Sequence, residues 1–422
     1  MKQLKYTANR AVFPSLCLII AIPFILAECR HIDPENPEPH TLVVLSLDGF
    51  RWDYTELYST PNLDALADKG TRAEYLIPAF PSKTFPNHYT LATGLYPDNH
   101  GLVNNSFLDP FTGKLYSIGD REAVEDGYFY GGEPIWNTAE KQGIRTAVCF
   151  WVGSEADIQG KRPSIWKSYD HEMPFVDRMD TVMSWLQLPL EKRPGLIMWY
   201  LHEPDAVGHT YGPESLETGK TVEYLDSLVG VFIHRMKELP HYETINLIIL
   251  SDHGMTEISN GRVIWLNDHI PSHWIKTARG GSPVINLQAA EGFYDTLLHT
   301  LEAIPHLVVA ANPSVPPSWH YGTHPRCLDF TVTADPGWSI GWERGRSFEG
   351  GAHGYDPATC PDMNAIFYAR GPSFRNGKTI PAFENIHVYE LMCGVLGISP
   401  SPNDGNLENI SIITEKKSLL SD

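Results

Sequence analysis

The sequence predicts an α/β fold: a mostly parallel central sheet with helices on both faces and a smaller inserted subdomain. Three observations carry this. Short apolar runs rich in β-branched and aliphatic residues recur without polar alternation, which suits strands covered on both faces. Segments with helical apolar spacing lie between them. The resulting β-α-β-α order favours a parallel sheet flanked by helices.

In chain order, the first strand is Leu42–Leu47. Thr60-Pro61 opens a helix that ends at Gly70, with Pro suited to the first turn and Gly to the C-terminal cap. Pro134 to Gly143 repeats that logic and leads into a strand at Thr146–Trp151. Leu196–Leu201 is the next strand. Val222, Leu225, Val229, Phe232 and Met236 then mark one face of a longer helix. Leu247–Leu250 and Ala365–Ala369 are further strands, and Val388, Leu391 and Val395 indicate a helix near the end. From about Glu257 to Gly350 the chain is less regular and rich in Pro, Gly and Trp, which reads as an inserted subdomain (about 257–350). The whole is expected as a linker over 28–40, one domain over 41–412 and a tail over 413–422. No repeats or low-complexity tracts interrupt it.

Composition removes several function classes. The 422 residues include 51 Asp and Glu against 32 Lys and Arg, a formal net charge of −19. That excludes a broad basic face for nucleic acid, so no sequence-specific nucleic-acid partner is expected. An apolar content of 42%, with 11 Trp and 19 Tyr, excludes a disordered chain. Six Cys in this length do not make a disulfide scaffold. An acidic protein that handles anions needs metal ions or focused positive groups.

The N-terminus reads as a processing segment. Lys2, Lys5 and Arg10 precede an apolar run of 17 residues from Ala11 to Ala27. The run is short for a span of about 20 residues, and its basic flank and small Ala27 suit a secretory signal over residues 1–27. An uncleaved N-terminal anchor, or a lipoprotein signal ending at Cys29, are the alternatives. Membrane attachment is thus expected through the N-terminus only, and the protein is expected to be exported, periplasmic or extracellular. Export would put Cys149, Cys327, Cys360 and Cys393 in an oxidising setting. Cys149 and Cys393 lie in apolar runs and read as buried thiols. Cys327 and Cys360 lie in polar stretches and could be bridged, although spacing does not decide it. Asn104-Asn-Ser and Asn409-Ile-Ser are sequons, relevant only in a eukaryotic secretory pathway.

Four segments carry chemistry. In an open parallel sheet, ligands bind beyond the carboxyl ends of the strands. Three apolar strands here run into metal-competent residues: Asp48-Gly49, then His202-Glu203-Pro204-Asp205 with His209, then Ser251-Asp252-His253-Gly254. Asp205 and His209 are four apart and would share one helix face. A fourth segment places His353 among glycines, in Gly350-Gly-Ala-His353-Gly-Tyr-Asp356. Each alone has an ordinary explanation: a helix cap, a turn, a surface helix or a loop histidine. Their recurrence at one topological edge points to a site. Asp48, Asp205 and Asp252 supply three carboxylates, and His209, His253 and His353 three imidazoles. Mixed N/O ligation suits zinc, and open catalytic sites take about three protein ligands each, so the six divide into two sites. Manganese accepts the same ligand types. A metal pair about 4 Å apart can serve both the attacking and leaving oxygens of phosphoryl transfer.

The segment Pro81-Ser82-Lys83-Thr84-Phe85-Pro86-Asn87-His88 offers a nucleophile, Thr84, at an expected helix start, where backbone amides favour an anion. Coordination to zinc would favour its alkoxide. Equally, Ser82 or Thr84 could simply cap the helix. Downstream, His100-Gly-Leu-Val-Asn104-Asn105 offers an amide donor or an ordinary Asn-rich turn.

Together these motifs resemble the nucleotide pyrophosphatase/phosphodiesterase family of the alkaline-phosphatase superfamily. The resemblance rests on Asp48-Gly-Phe-Arg, Lys83-Thr84-Phe85-Pro86-Asn87-His88, Asp205-x3-His209, Ser251-Asp252-His253-Gly-Met255 and Gly-Ala-His353-Gly-Tyr, in the family's order from about Thr41 to Ile398. It implies an alkaline-phosphatase-like fold of the compact, single-catalytic-domain type and two Zn²⁺ per chain. Asp48, Thr84, Asp252 and His253 would hold one zinc, and Asp205, His209 and His353 the other. Thr84 would form a covalent phospho-threonine and Asn105 would donate to a non-bridging oxygen. Phe85 and Tyr169 match the pair that sandwiches a nucleobase, and Lys83 would add positive charge for the substrate. The implied substrates are nucleotide phosphodiesters such as nucleoside triphosphates and dinucleotides, cleaved to nucleoside 5′-monophosphates. Members preferring lysophospholipid or choline phosphodiesters share the metal set, so those substrates, a phosphomonoesterase activity, or a non-catalytic exported binding protein are the alternatives. The sulfatase-type Cys-x-Pro-x-Arg motif is absent.

Overall fold

The computed structural model describes Met1 and residues 40–414. The expected signal, linker and C-terminal tail lie outside the described residues, apart from Met1, His40, Ile413 and Thr414. At the centre is an eight-stranded sheet in the order Lys378–Ile380, Thr71–Ala73, Phe367–Arg370, Ile245–Leu250, Thr41–Leu47, Leu196–Leu201, Thr146–Cys149 and Ile165–Lys167. The five strands from Ile245–Leu250 to Ile165–Lys167 are mutually parallel. Phe367–Arg370 runs antiparallel to both its neighbours. It starts later than the run at Ala365 suggested, and its direction is not encoded in its apolar pattern. The second expected strand stops at Cys149 because Phe150 turns to φ 71°, outside the extended region.

Each central strand feeds two cores. Leu42, Val44, Leu196, Met198, Ile248 and Leu250 point to one face, while Val43, Leu45, Ile197, Trp199, Leu247 and Ile249 point to the other. This is the period-2 alternation of a strand, invisible as polarity because both faces are apolar. The first face is covered by the helices Thr84–Thr93, Ile135–Lys141 and His387–Leu396. The second is covered by Pro61–Asp68, Phe175–Leu186 and Leu216–Lys237, the last burying Val222, Leu225, Val229, Phe232 and Met236 as its spacing predicted.

Between residues 257 and 350 lies a four-stranded antiparallel sheet, ordered Ile275–Gly281, Val284–Ala289, Phe330–Ala334 and Leu307–Ala311. The helix Tyr294–Glu302 packs on it through Leu297 and Leu301, against Leu287, Phe330 and Val332 in a third core.

Cys149, Cys327, Cys360 and Cys393 are all buried free thiols. A Cys327–Cys360 bridge is therefore absent: Cys327 packs in the first core and Cys360 in the third. Asn104 of the first sequon is buried and its amide reaches Val284 O and Asn286 Oδ1. Among the described residues no helix is long and apolar enough to cross a membrane.

Candidate active site

Strand register sets the site. Thr41–Leu47 lies between Leu196–Leu201 and Ile245–Leu250, with Leu47 opposite Leu201 and Ser46 opposite Leu250. The residues that follow these strands, Asp48, His202–Asp205 and Ser251–His253, therefore emerge at one level of one edge. Asp205 begins the helix Asp205–Tyr211, which carries His209 one turn on. His353 is delivered from far along the chain by the short strand Gly350–Ala352, paired antiparallel with Thr256–Ile258. Glycine is required there: Gly350 has φ 92°, and a Cβ on it would lie 2.1 Å from His209 O.

The acids and histidines gather as the spacing predicted. His253 Nε2 is 3.1 Å from Asp252 Oδ2 and 3.4 Å from Asp48 Oδ1. Asp205 Oδ1 is 3.4 Å from His209 Nε2 and 3.7 Å from His353 Nε2. Among the described residues three overlapping ligand groups result, Asp205–His209–His353, Asp48–Asp205–His253 and Asp48–His88–Asp252, each with its ligand atoms within 4.8 Å of one another. The His253 and His353 rings stack at 3.6 Å between centroids.

The protonation of the imidazoles follows from their backs. The Nδ1 atoms of His209, His253 and His353 each lie 2.8 Å from a backbone carbonyl, of Gly351, Gly254 and Ser82 respectively. A carbonyl only accepts, so each Nδ1 carries a proton, and in the neutral ring Nε2 then presents its lone pair to the acids. Burial keeps His253 and His353 below the usual histidine range, favouring that neutral form. Opposite them, Asp48 Oδ1, Asp205 Oδ1 and Asp252 Oδ2 are buried without a hydrogen-bond partner. Burial, then the charges of Asp252 and Asp205, push the Asp48 carboxyl well above the carboxylate range. Burial also acts to raise Asp252, but His253 and His88 outweigh it and bring that carboxyl to about 2. Oxygens of three acids and the Nε2 atoms of three imidazoles brought this close repel one another unless a proton or a cation lies between them. The residues present therefore fit divalent metal ions with mixed N/O ligation.

Thr84 is the first residue of the helix Thr84–Thr93, and its Oγ1 lies 3.1 Å from His253 Nε2. The capping alternative fails. The helix has no side-chain cap, and the Ser82 hydroxyl instead donates to Tyr355 O. Asn105 Oδ1 accepts from the Phe85 N–H at 3.0 Å, the amide of the residue next to Thr84. Thr84, Phe85, Tyr169 and Asp48 line one pocket of about 400 Å³. Lys83 is placed differently from the charged substrate contact expected of it. Its buried ammonium donates to His353 O at 2.8 Å and Ser282 O at 2.9 Å, tying the turn before Thr84 to the His353 loop and the antiparallel subdomain. Burial brings it down to about 7.

Sequence reasoning missed several residues here. His88 sits one helical turn after Thr84, with Nδ1 3.0 Å from Thr84 O and Nε2 2.9 Å from Ser46 Oγ. Its i, i+4 spacing from Thr84 was the available signal. Tyr200 donates its hydroxyl to Asp48 Oδ2, an orientation that no sequence pattern carries. Behind Tyr169, the fully buried Arg178 donates to the carbonyls of Met173, Tyr200, Asp170 and His171, and lies 4.8 Å from the Phe150 ring centroid. Glu155 accepts from the Tyr169 N–H at 2.7 Å and is paired with Arg121, both at the pocket wall.

Comparison with known proteins identifies the family. The model of the family "Type I phosphodiesterase / nucleotide pyrophosphatase" matches residues 42–356. The chain belongs to this family. It is 33% identical over 400 residues to rat ectonucleotide pyrophosphatase/phosphodiesterase family member 3, covering 91% of this chain and 46% of the relative. An uncharacterized pyrophosphatase/phosphodiesterase of Schizosaccharomyces pombe is 36% identical, with 87% of this chain and 79% of that protein aligned. The chain thus spans about half the length of the rat relative and most of the yeast one. Among solved structures, murine ectonucleotide pyrophosphatase/phosphodiesterase 5, as an inactive threonine-to-alanine variant in complex with AMP, superposes with a TM-score of 0.85. That match is 33% identical and covers 90% of this chain and all of the murine one. The family's fold is the mixed α/β architecture described above.

Proposed function

We propose that this protein is an exported, two-zinc nucleotide pyrophosphatase/phosphodiesterase that releases nucleoside 5′-monophosphates through a covalent phospho-threonine. The observation that carries the reading is Thr84 Oγ1, 3.1 Å from His253 Nε2, between converging acid–imidazole groups and a pocket walled by Phe85 and Tyr169. Family membership and the murine relative's AMP complex support nucleotides as the substrate class. Export is supported by the signal-like segment 1–27 and by relatives named as ectonucleotide and venom enzymes.

Asp48, Thr84, Asp252 and His253 would hold one zinc, and Asp205, His209 and His353 the other. When bound, the zinc pair would supply Lewis acidity, lowering the pKa of an adjacent hydroxyl and neutralising phosphoryl charge. Thr84 Oγ attacks phosphorus, forming the Oγ–P bond as the bond to the leaving oxygen breaks; the leaving oxygen takes up a proton. Water then attacks the same phosphorus from the opposite side, releasing the 5′-monophosphate and restoring the Thr84 hydroxyl. Asn105 Nδ2, freed by the Phe85 contact of its oxygen, donates to a non-bridging oxygen. Phe85 and Tyr169 hold the base by stacking.

Two displacements give net retention at phosphorus. A chiral thiophosphate diester tests this, and clean inversion would remove the covalent route. Zinc-loaded protein given a dinucleotide, a nucleoside monophosphate and a choline phosphodiester at equal concentration should consume the dinucleotide and yield 5′-monophosphate. Preferential release of inorganic phosphate, or of choline phosphate, would move the assignment to a monoesterase or a lipid-type diesterase.

A further inference from the structure

Behind the nucleophile turn, a second cavity of about 420 Å³ shares no lining residue with the pocket that holds Thr84. Its walls carry the aromatic side chains of Trp52, Tyr75, Tyr96 and Trp319, and two carboxylates, Asp356 and Glu384. Among the described residues no Lys, Arg or His lines it. The Trp52 and Tyr75 rings are partly exposed and meet at 5.7 Å between centroids, tilted by 60°, so they form two walls of a corner.

The polar groups around it are arranged to keep negative potential. Tyr96 OH donates to Glu384 Oε1 at 3.1 Å, and Trp319 Nε1 donates to Asp356 Oδ2 at 2.9 Å. Two aromatic donors that could have met a ligand are thereby committed to the carboxylates and hold them in place. The acids lie beside π-faces that are themselves electron-rich, in a chain with a formal charge of −19. Such a corner repels anions and attracts a cation that is weakly hydrated and broad enough to touch two rings.

We infer that this cavity is a binding site for a small organic cation, a quaternary or alkylated ammonium group, held by the Trp52–Tyr75 corner and the Asp356 and Glu384 carboxylates. It is separate from the phosphoester chemistry and does not depend on that assignment.

The test uses the full chain, zinc-loaded, with choline chloride as probe and 3,3-dimethyl-1-butanol as its uncharged isostere. Binding is read by calorimetry and by tryptophan fluorescence. Choline should bind saturably with a dissociation constant on the order of a millimolar, and the isostere should show no saturation. Saturating AMP should not displace choline. Trp52→Ala should weaken choline about fivefold or more, with diester hydrolysis unchanged. Glu384→Gln, which preserves side-chain shape and keeps an acceptor for Tyr96, should do likewise and covers the case where Trp52→Ala misfolds. Equal binding of the uncharged isostere would overturn the proposal. So would choline binding that survives both variants or is abolished by AMP, which would put choline in the Thr84 pocket.

Discussion

Asn105 provides the sharpest separation of fold from chemistry. Its Oδ1 is occupied by the Phe85 N–H at 3.0 Å, and the proposed phosphoryl contact falls to the other end of the amide. Asn105→Asp keeps an oxygen for the Phe85 N–H and should leave the helix start and the melting temperature in place. It removes the Nδ2 donor and substitutes an anion. Loss of one preorganised donor to a developing phosphoryl charge costs about 10²–10³ in rate. A carboxylate about 4 Å from a phosphoryl oxygen, at an effective dielectric of about 20, adds about 4 kcal/mol of repulsion before cations offset it. Asn105→Ala loses the donor without the repulsion, but also strands the Phe85 N–H. The expected order of kcat/KM is therefore wild type, then Asn105→Ala lower by about 10²–10³, then Asn105→Asp lower still, with Asn105→Asp the more stable of the two variants. A chromogenic nucleoside 5′-phosphodiester gives the rates, and calorimetry the melting temperatures. If the folded Asn105→Asp variant kept activity within about tenfold of wild type, against the loss expected for a missing donor, the donor role would be refuted.

Three further outcomes are expected. A strong chelator should abolish hydrolysis and lower the melting temperature, because ions at about a thousandfold excess over their dissociation constant stabilise by about 4 kcal/mol. Zinc should restore both at about two ions per chain by elemental analysis, the divalent pair expected for phosphoryl transfer; full activity in stripped protein would sink the metal reading. Tyr200→Phe removes the hydroxyl that donates to Asp48 Oδ2 and should weaken zinc about 10- to 100-fold in competition with a chromophoric chelator, whereas unchanged affinity would make Tyr200 mere packing. Burial pushes the Cys149 thiol up to about 11 and those of Cys360 and Cys393 up to about 12. Together with Cys327 they should resist alkylation in the native protein and react without reductant once unfolded. A Cys327–Cys360 linked peptide would contradict this.

How far the sequence could be read depended on the range of the forces involved. The strand Leu196–Leu201 and the burial face of Leu216–Lys237 were legible because each reflects local periodicity. The convergence of Asp48, Asp205, His209, Asp252 and His253 was legible because parallel strands place their following residues at one edge, whereas His353 reaches them from the antiparallel strand Gly350–Ala352. The direction of Phe367–Arg370 was not, since it depends on how a connection crosses the sheet. Lys83 shows the limit well. It neighbours Thr84 in sequence, but adjacent residues at a helix start point in different directions, and its ammonium ends at His353 O and Ser282 O. Cys327 and Cys360 looked like loop residues because their burial comes from segments distant in the chain.

The delivery of His353 has a consequence for how the protein matures. Asp205 and His209 share one short helix, but their third partner arrives only when Gly350–Ala352 has paired with Thr256–Ile258 and settled against His209 O. A growing or clipped chain that ends before residue 350 would own a two-coordinate fragment that grips zinc weakly. Ion capture by all three residues would therefore come late in assembly, once about the last sixth of the polypeptide, from residue 350 on, is in place.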